Sequence, residues 1–389
     1  MGFPALRPRK KEVPFIHNPH SGKNTPRYGY GKILADIIST PRYTYGASTL
    51  NELKSATREI HSLRSEIIGF CGGDGTLSLD LTRILREWAK TPSLPLPKIL
   101  YFPTGTRCVV AENLGLMEHS ADEFAKRIRY KIDHNLPFET AHLNPLKIND
   151  QYGFMYGVGM PASAVQHYYD KADYGCVDGN REYGLEEVLA AASQQVFGGD
   201  KAVKPPCRFT CRWDKASRYD GRCPKCGREL QRILGNKRFN QVVVEALWDE
   251  IRAKLLFRQS HRLLTKPAYA EIALPDGHEP PFAPYLEYTG IMCSTIESMG
   301  NHCRAMPLAR QKPDHFMLRC MNLGFWGIVR MLPFLWSGMA LPTGHAFDAV
   351  VPNLTIKFKD DTVRTIDGDL GTSRCDHLGI GPALEFIVG

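Results

Sequence analysis

The sequence predicts an α/β domain built on a parallel sheet, followed by a mostly β domain of sandwich type. Two observations carry that expectation. Short apolar runs alternate with amphipathic stretches through the first third of the chain, and strand-like runs separated by turns dominate beyond about residue 138. Strands that alternate with helical patterns pair in parallel, because each helix carries the chain back across the sheet. Ligands of such sheets bind at the carboxyl ends of the strands, where the loops gather.

The elements follow in order. "VPFIH" (13–17) reads as a buried strand and "GKILADIIS" (31–39) as an amphipathic helix. "RYTY" (42–45) is a second strand, and "TLNELKSATREIHSL" (49–63) its helix. "EIIGFC" (66–71) is a third strand, "TLSLDLTRILREWAK" (76–90) the next helix, and "KILYF" (98–102) a fourth strand. Later, "GFMYGVGM", "AYAEIALPDG", "YLEYTGIMCS", "HFMLRCMNL" and "NLTIKFKDDTVRTIDGD" have the look of strands and turns. The interval 178–265 interrupts them with helical patterns and a cysteine-rich piece. The expected division is a nucleotide-binding α/β domain over 1–137, to which the tail 380–389 can return, and a β-sandwich over 138–379 with an insertion at 200–235.

A chain of 389 residues can bury two or three cores, and 43% apolar with 23% charged residues is ordinary for a soluble protein. The formal charge of +8 suits an anionic partner without choosing among nucleotide, nucleic acid and lipid surface. The basic start, "MGFPALRPRKK", is not followed by an apolar signal core, and Leu6 stands where a myristoylation motif needs Ser or Thr. Eleven cysteines without an export signal read as reduced thiols in a cytosol-like compartment. The longest apolar stretch, 325–342, carries Arg330 and Pro333, too interrupted for a membrane span. It reads as a core or surface helix with a proline break, the alternative being a membrane-touching segment.

"FCGGDGTLSLD" (70–80) follows an apolar strand with three glycines and an acid. Glycines let the backbone approach an anion closely, and a following helix start adds partial positive charge. Asp74 would not face a bare phosphate; it would orient a metal, a water or a sugar hydroxyl. The alternative is an ordinary tight strand–helix turn. "HNPHSGKN" (17–24) behind the first strand and "FPTGTRCVVAENLG" (102–115) behind the fourth carry the same small and hydroxyl residues. In a parallel sheet all three loops emerge at one edge, which favours a nucleotide site.

Taken together, these loops resemble the diacylglycerol kinase-like lipid kinases, the group that includes sphingosine and ceramide kinases. The residues that carry the resemblance are Asn18, Pro19, His20, Ser21 and Gly22, then Gly72, Gly73, Asp74, Gly75 and Thr76, then Pro103 to Arg107 with Cys108 in place of an Asn. Late in the chain come Gly344 and His345, then Asp367, Gly368 and Asp369 where the family has Asp-Gly-Glu. Gly-Gly-Asp-Gly-Thr alone is also found in NAD kinases. The resemblance implies ATP and magnesium held between an α/β domain and a β-sandwich, with a lipid hydroxyl attacking the terminal phosphate. It implies nucleotide contacts from Asn18 to Gly22, Gly72 to Thr76 and Thr106, and from Thr44 at the end of the second strand. It implies proton acceptance by Asp369 beside Asp367, and leaves Asp314 as the remnant of a magnesium-linked acidic pair. Taken alone, "TIDGDLG" could equally be a polar hairpin turn, since Asp-Gly is a common turn dipeptide. Ser78 and Leu79 stand where Asn-Glu is usual, and "GMPA" (159–162) lacks the family's acid.

Cys207, Cys211, Cys223 and Cys226 form a further pattern, with Cys-Pro-Lys-Cys-Gly as its knuckle. A knuckle turn points two thiolates at one metal, so four ligands make a closed structural zinc site. The alternative is four unrelated thiols. Basic and aromatic residues around it would suit an anionic or protein partner, although such loops are often simply solvated. The expected activity is an ATP-dependent lipid kinase in the cytoplasm working at a membrane surface, with no transmembrane segment and no nucleic-acid role. Two readings stand beside it: a soluble NAD kinase-like enzyme, and a catalytically weak relative that holds a partner through the zinc insert.

Overall fold

The computed structural model describes residues 12–21, 24, 29–105, 108–118, 120–171, 268–275, 286–300, 303–323, 331, 333–339 and 346–389. Two sheets organise them. The first contains β1 (Phe15–His17), β2 (Thr44–Gly46), β3 (Ile67–Gly72), β4 (Lys98–Pro103), β5 (Thr140–Leu143) and the chain's last strand, β16 (Leu384–Ile387). Its order is β2-β1-β3-β4-β16-β5. All neighbours run parallel except β5, which is antiparallel to β16. The sheet is the expected parallel one, with a single antiparallel strand, β5, added at its edge. The chain stays in it through Leu143, past the change of rhythm near residue 138.

The central strands are buried on both faces: Phe15, Ile16, Ile68, Phe70, Leu100 and Phe102 are all sealed from solvent. That is why they read as continuous apolar runs rather than alternating ones. Around them lie α1 (Tyr30–Ile38), α2 (Leu50–Leu63), α3 (Asp74–Trp88), α4 (Val109–Asn113) and α5 (Ala121–Asp133). Helix α2 begins at a capping box: Thr49 Oγ1 accepts from Glu52 N at 3.2 Å, and Glu52 Oε2 accepts from Thr49 N at 3.0 Å. Helix α5 was not singled out in the sequence because charged residues dominate it, yet Phe124, Ile128 and Ile132 at four-residue spacing form its buried stripe. Half of "RYTY" is not strand: Pro41–Tyr43 form a 3-10 turn, and the pairing runs over Thr44–Gly46.

The second sheet is antiparallel throughout. It contains β6 (Leu146–Ile148), β7 (Gln151–Gly153), β8 (Met155–Gly159), β9 (Ala268–Ala273), β10 (Leu286–Tyr288), β11 (Gly290–Ser294), β12 (Phe316–Met321), β13 (Ala346–Val351), β14 (Asn353–Ile366) and β15 (Asp369–Ile380). The order is β13-β12-β11-β8-β14-β15-β6-β7, with β9 on β14 and β10 on β9. One helix, α6 (Met160–Lys171), follows β8. Strand β12 divides two cores by its two-residue period. Phe316, Leu318 and Cys320 join the cluster inside the curled sheet, while Met317 and Met321 join a methionine-rich cluster with Met292 and Met306. Arg319, between those methionines, is sealed from solvent by a two-pronged pair with Asp348, at 2.7 and 2.6 Å. The apolar stretch 325–342 is described only in part, with a helical turn at 333–337. No described helix is long and apolar enough to cross a membrane.

The sheets are bolted to each other. Thr82 of α3 accepts from Tyr152 N of β7 at 2.9 Å, and Arg86 donates to Asp150 O at 2.6 Å. Asn113 of α4 accepts from Glu297 N and Ser298 N at 3.2 and 3.1 Å. Strand β8 ends at Gly159, where φ is +73° and a Cβ would overlap the Thr289 carbonyl oxygen that Met160 N uses at 2.8 Å. Gly159→Ala therefore forces both a left-handed alanine and a clash. It should lower unfolding free energy by about 2 kcal/mol or more in urea titration, a loss that an ordinary strand glycine would not show.

Candidate active site where the two sheets meet

Strands β1, β3 and β4 are neighbours, so the loops leaving their carboxyl ends are neighbours too. Asn18 closes the first loop onto the second: its Oδ1 accepts from His20 N at 2.9 Å, and its Nδ2 donates to Thr76 Oγ1 at 3.1 Å. Asn24 donates to the carbonyls of Asn18 and Cys71 at 3.1 and 3.2 Å. The third loop joins through Thr104 N, which donates to Gly72 O at 3.0 Å. Gly73 lies between the loops: an added Cβ would lie 3.3 Å from Gly105 Cα and 3.9 Å from Ser21 Oγ. A side chain there would fill the space between the three loops. Pro19 lies on the same first-loop turn.

Gly73 is also the N-cap of α3, and no side chain caps that helix. The N–H groups of its first turn have no intrahelical acceptor. They and the helix dipole make this an anion-binding end. Asp74 does not occupy it. Its two oxygens accept from Val109 N and Val110 N at 2.7 and 3.1 Å, capping α4 instead.

The acids from the far end of the chain arrive on a hairpin. Strands β14 and β15 are joined by Asp367 and Gly368, with φ of +48° and +91°, the two positive values of a two-residue type I′ turn. "TIDGDLG" is thus a hairpin turn and part of the site at once. The Asp367 carboxylate turns inward, accepting from Phe154 N and Met155 N, each at 2.8 Å, and from the Ser78 hydroxyl of α3. Asp369 comes to rest against Gly75, where an added Cβ would sit 2.9 Å from its Oδ1. Gly75 is a glycine because a carboxylate occupies its side-chain space.

Burial pushes Asp74 up to about 7, helped by the Asp367 charge and opposed by the two α4 amides. Burial likewise pushes Asp367 up to about 7 against its three donors, with Asp369 adding to the rise. Burial also raises Asp369. Three acids crowded out of water cannot all ionise without cost.

The structure thus brings together Asn18, Pro19, His20, Ser21, Gly72, Gly73, Asp74, Gly75, Thr76, Asp367 and Asp369. Thr44 is not among them. It begins β2 rather than ending it, level with Phe15 and two residues below the carboxyl edge, and its hydroxyl donates to Thr40 O at 2.9 Å. Asp314 is also apart: it is exposed on the turn before β12, three strands along the sheet from β14, or about 14 Å at strand spacing. Among the described residues, no three His, Cys, Asp or Glu side chains are grouped to hold a metal by themselves. Gly22, Thr106, Gly344, His345 and the four cysteines Cys207, Cys211, Cys223 and Cys226 lie outside the described residues. Sequence reasoning missed the role of Ser78. Its position one helical turn after Asp74 was the available signal, because that spacing puts both on one face of α3. A cavity of about 210 Å³ opens beside Asp369, between α3 and the β14–β15 hairpin.

Residues 12–136 match the family model described as the diacylglycerol kinase catalytic domain. No curated protein matches the chain by sequence. Among solved structures, a chain described as a diacylglycerol kinase from Bacillus anthracis str. Sterne superposes with a TM-score of 0.54 at 12% identity, covering 97% of each chain. Two others, named as candidate diacylglycerol kinases of that organism, give TM-scores of 0.57 and 0.56 at 13% identity, one covering 98% and the other 97% of each chain. The two-sheet fold is the one these structures share.

The crowded acids predict a pH signature. Asp74 and Asp367 keep their protons up to about pH 7 in the folded chain, whereas the unfolded chain releases them near pH 4. The folded state therefore binds more protons in that window, and stability falls as pH rises from about 4 to about 7. Asp74→Asn should flatten part of that slope in melting temperatures measured from pH 5 to pH 8. An unchanged slope would mean that Asp74 is already ionised.

Proposed function

We propose that this chain is an ATP-dependent kinase that passes the γ-phosphate to a lipid hydroxyl. The supporting observation is the meeting of Asp369 with Gly75: an acid from the last strands lies on the glycine turn that opens an uncapped helix. Phosphoryl transfer requires mostly positioning, charge neutralisation and a base near the attacking hydroxyl. In this reading the amides of the Gly73–Thr76 turn hold the phosphates, with Ser21, Gly22 and Thr106 completing the loops around them. Asp369 takes the proton from the acceptor. Asp is one methylene shorter than the family's Glu, and the missing Cβ of Gly75 lets it approach the turn closely. Asp367 positions the hairpin, and Asp74 positions α4 and the third loop.

Magnesium suits this set, because it needs only one or two carboxylates when phosphates and water supply its other ligands. When bound it would neutralise phosphate charge, and Asp369 is the acid that would hold it, since both Asp367 oxygens are already taken. In this reading the protein works in the cytoplasm at an anionic membrane surface, to which a net charge of +8 is suited. The cysteine motif adds a structural zinc held by Cys207, Cys211, Cys223 and Cys226, apart from catalysis.

The test is incubation with γ-labelled ATP, magnesium and a panel of diacylglycerol, sphingoid base, ceramide, the anionic lipids lysophosphatidic acid and phosphatidylglycerol, and NAD. Label should appear in a lipid; label in NADP, or in no acceptor, would overturn the proposal. Asp369→Asn should lower the transfer rate by about 100-fold or more while ATP affinity stays within a few-fold. Burial raises Asp369, so the acid limb of the rate profile should lie above the ordinary carboxylate range. For zinc, elemental analysis should find one equivalent per chain, lost when Cys223 and Cys226 are both changed to Ser. Metal-free wild-type protein that stays fully folded would remove the zinc site.

A further inference from the structure

The cavity beside Asp369 has a second polar wall that the proposed transfer does not use. Arg364 of β14 faces it, with Gln151, Tyr152 and Leu370 around the rim. Its Nη2 donates to Gln151 Oε1 at 3.3 Å, and its Nη1 lies 3.4 Å from Asp376 Oδ1. Nε and Nη1 are buried, and neither makes a hydrogen bond. Asp376 is already served by Tyr156 Oη at 2.7 Å and Asn149 Nδ2 at 2.8 Å. Nε and Nη1 are sealed from the cavity, and Nη1 gives its charge to buried Asp376; Nη2, bonded to Gln151 at the rim, is the nitrogen that can meet a ligand.

The register places Arg364 and Asp369 on one face of the hairpin. Arg364 pairs with Gly371 and Ile366 with Asp369, so Arg364 and Asp369 are diagonal neighbours, about 7–8 Å apart. Gly371 leaves the space over Arg364 open: an added Cβ would touch only Arg364 Nε, at 3.9 Å. The planar fork of an arginine matches the oxygens of a phosphate or carboxylate.

We infer that this cavity is the acceptor headgroup site and that Arg364 selects acceptors carrying an anionic phosphate or carboxylate one short arm away from the hydroxyl that faces Asp369. The inference rests on the kinase reading and narrows its substrate class. At about 210 Å³ the cavity is smaller than the ~300–1,000 Å³ of pockets that enclose whole ligands. It admits a headgroup and leaves acyl chains outside.

The soluble probe is sn-glycerol 3-phosphate, titrated calorimetrically into the full chain with a non-hydrolysable ATP analogue and magnesium filling the nucleotide loops. Glycerol and inorganic phosphate are the parallel arms. Arg364→Met would strip buried Asp376 of its counter-charge, so the variants are Arg364→Lys, which keeps the charge without the fork, and Gly371→Val, which fills the cavity from an open position. Wild type should bind glycerol phosphate at least tenfold more tightly than glycerol or inorganic phosphate. Arg364→Lys should lose about tenfold and Gly371→Val nearly all binding, with affinity for the ATP analogue unchanged in both. No binding to wild type, equal binding by the variants, or inorganic phosphate matching glycerol phosphate would each overturn the assignment. Binding as expected without any labelled lipid in the transfer assay would remove the kinase reading and leave an anionic headgroup site. Labelled lipid with unaltered variants would do the reverse.

Discussion

The buried carboxylate of Asp367 holds the two halves of the site in register. Burying a carboxyl group without partners costs about 1–3 kcal/mol, and here the amides of Phe154 and Met155, at the start of β8, and the Ser78 hydroxyl supply them. Met155 begins a strand of the second sheet, Phe154 directly precedes it, and the serine belongs to a helix of the first. One side chain at a hairpin tip thus spans the junction. Sliding the hairpin by one residue would leave three donors and a buried carboxyl group unpaired. Asp369, two residues on, is therefore delivered to Gly75 by a constraint that does not involve Asp369 itself.

Among the described residues, most polar side chains of the three loops are consumed in building the loops. Asn18 and Thr76 bond to each other, Asn24 fixes two carbonyls, and Asp74 caps α4. What remains open is backbone: the first amides of α3, in a turn whose glycines keep side chains out of the way. Donors held in place before a ligand arrives need no reorganisation when charge moves. The cost is a set of crowded acids whose protons are hard to remove.

Much of the first sheet was legible in the sequence because its signals are local. Apolar runs marked β1, β3 and β4, and amphipathic stretches marked α1, α2 and α3. Helix α5 escaped because charge masked its apolar stripe, and "RYTY" misled because Pro41 bends the chain before pairing begins. The antiparallel edge strand β5 was not legible: its partner β16 lies at the other end of the chain.

The glycine turn, the hairpin dipeptide and the companion loops were determined by sequence alone, since each depends on backbone freedom within a few residues. The tertiary structure decided what the acids do. Asp74, Asp367 and Asp369 have the same side chain, and only their neighbours make one a helix cap, one an anchor and one an acid facing an open cavity. The same holds for Thr44, Ser78 and Arg364. Their partners come from distant stretches of chain, and contacts between such stretches leave no periodic mark on either.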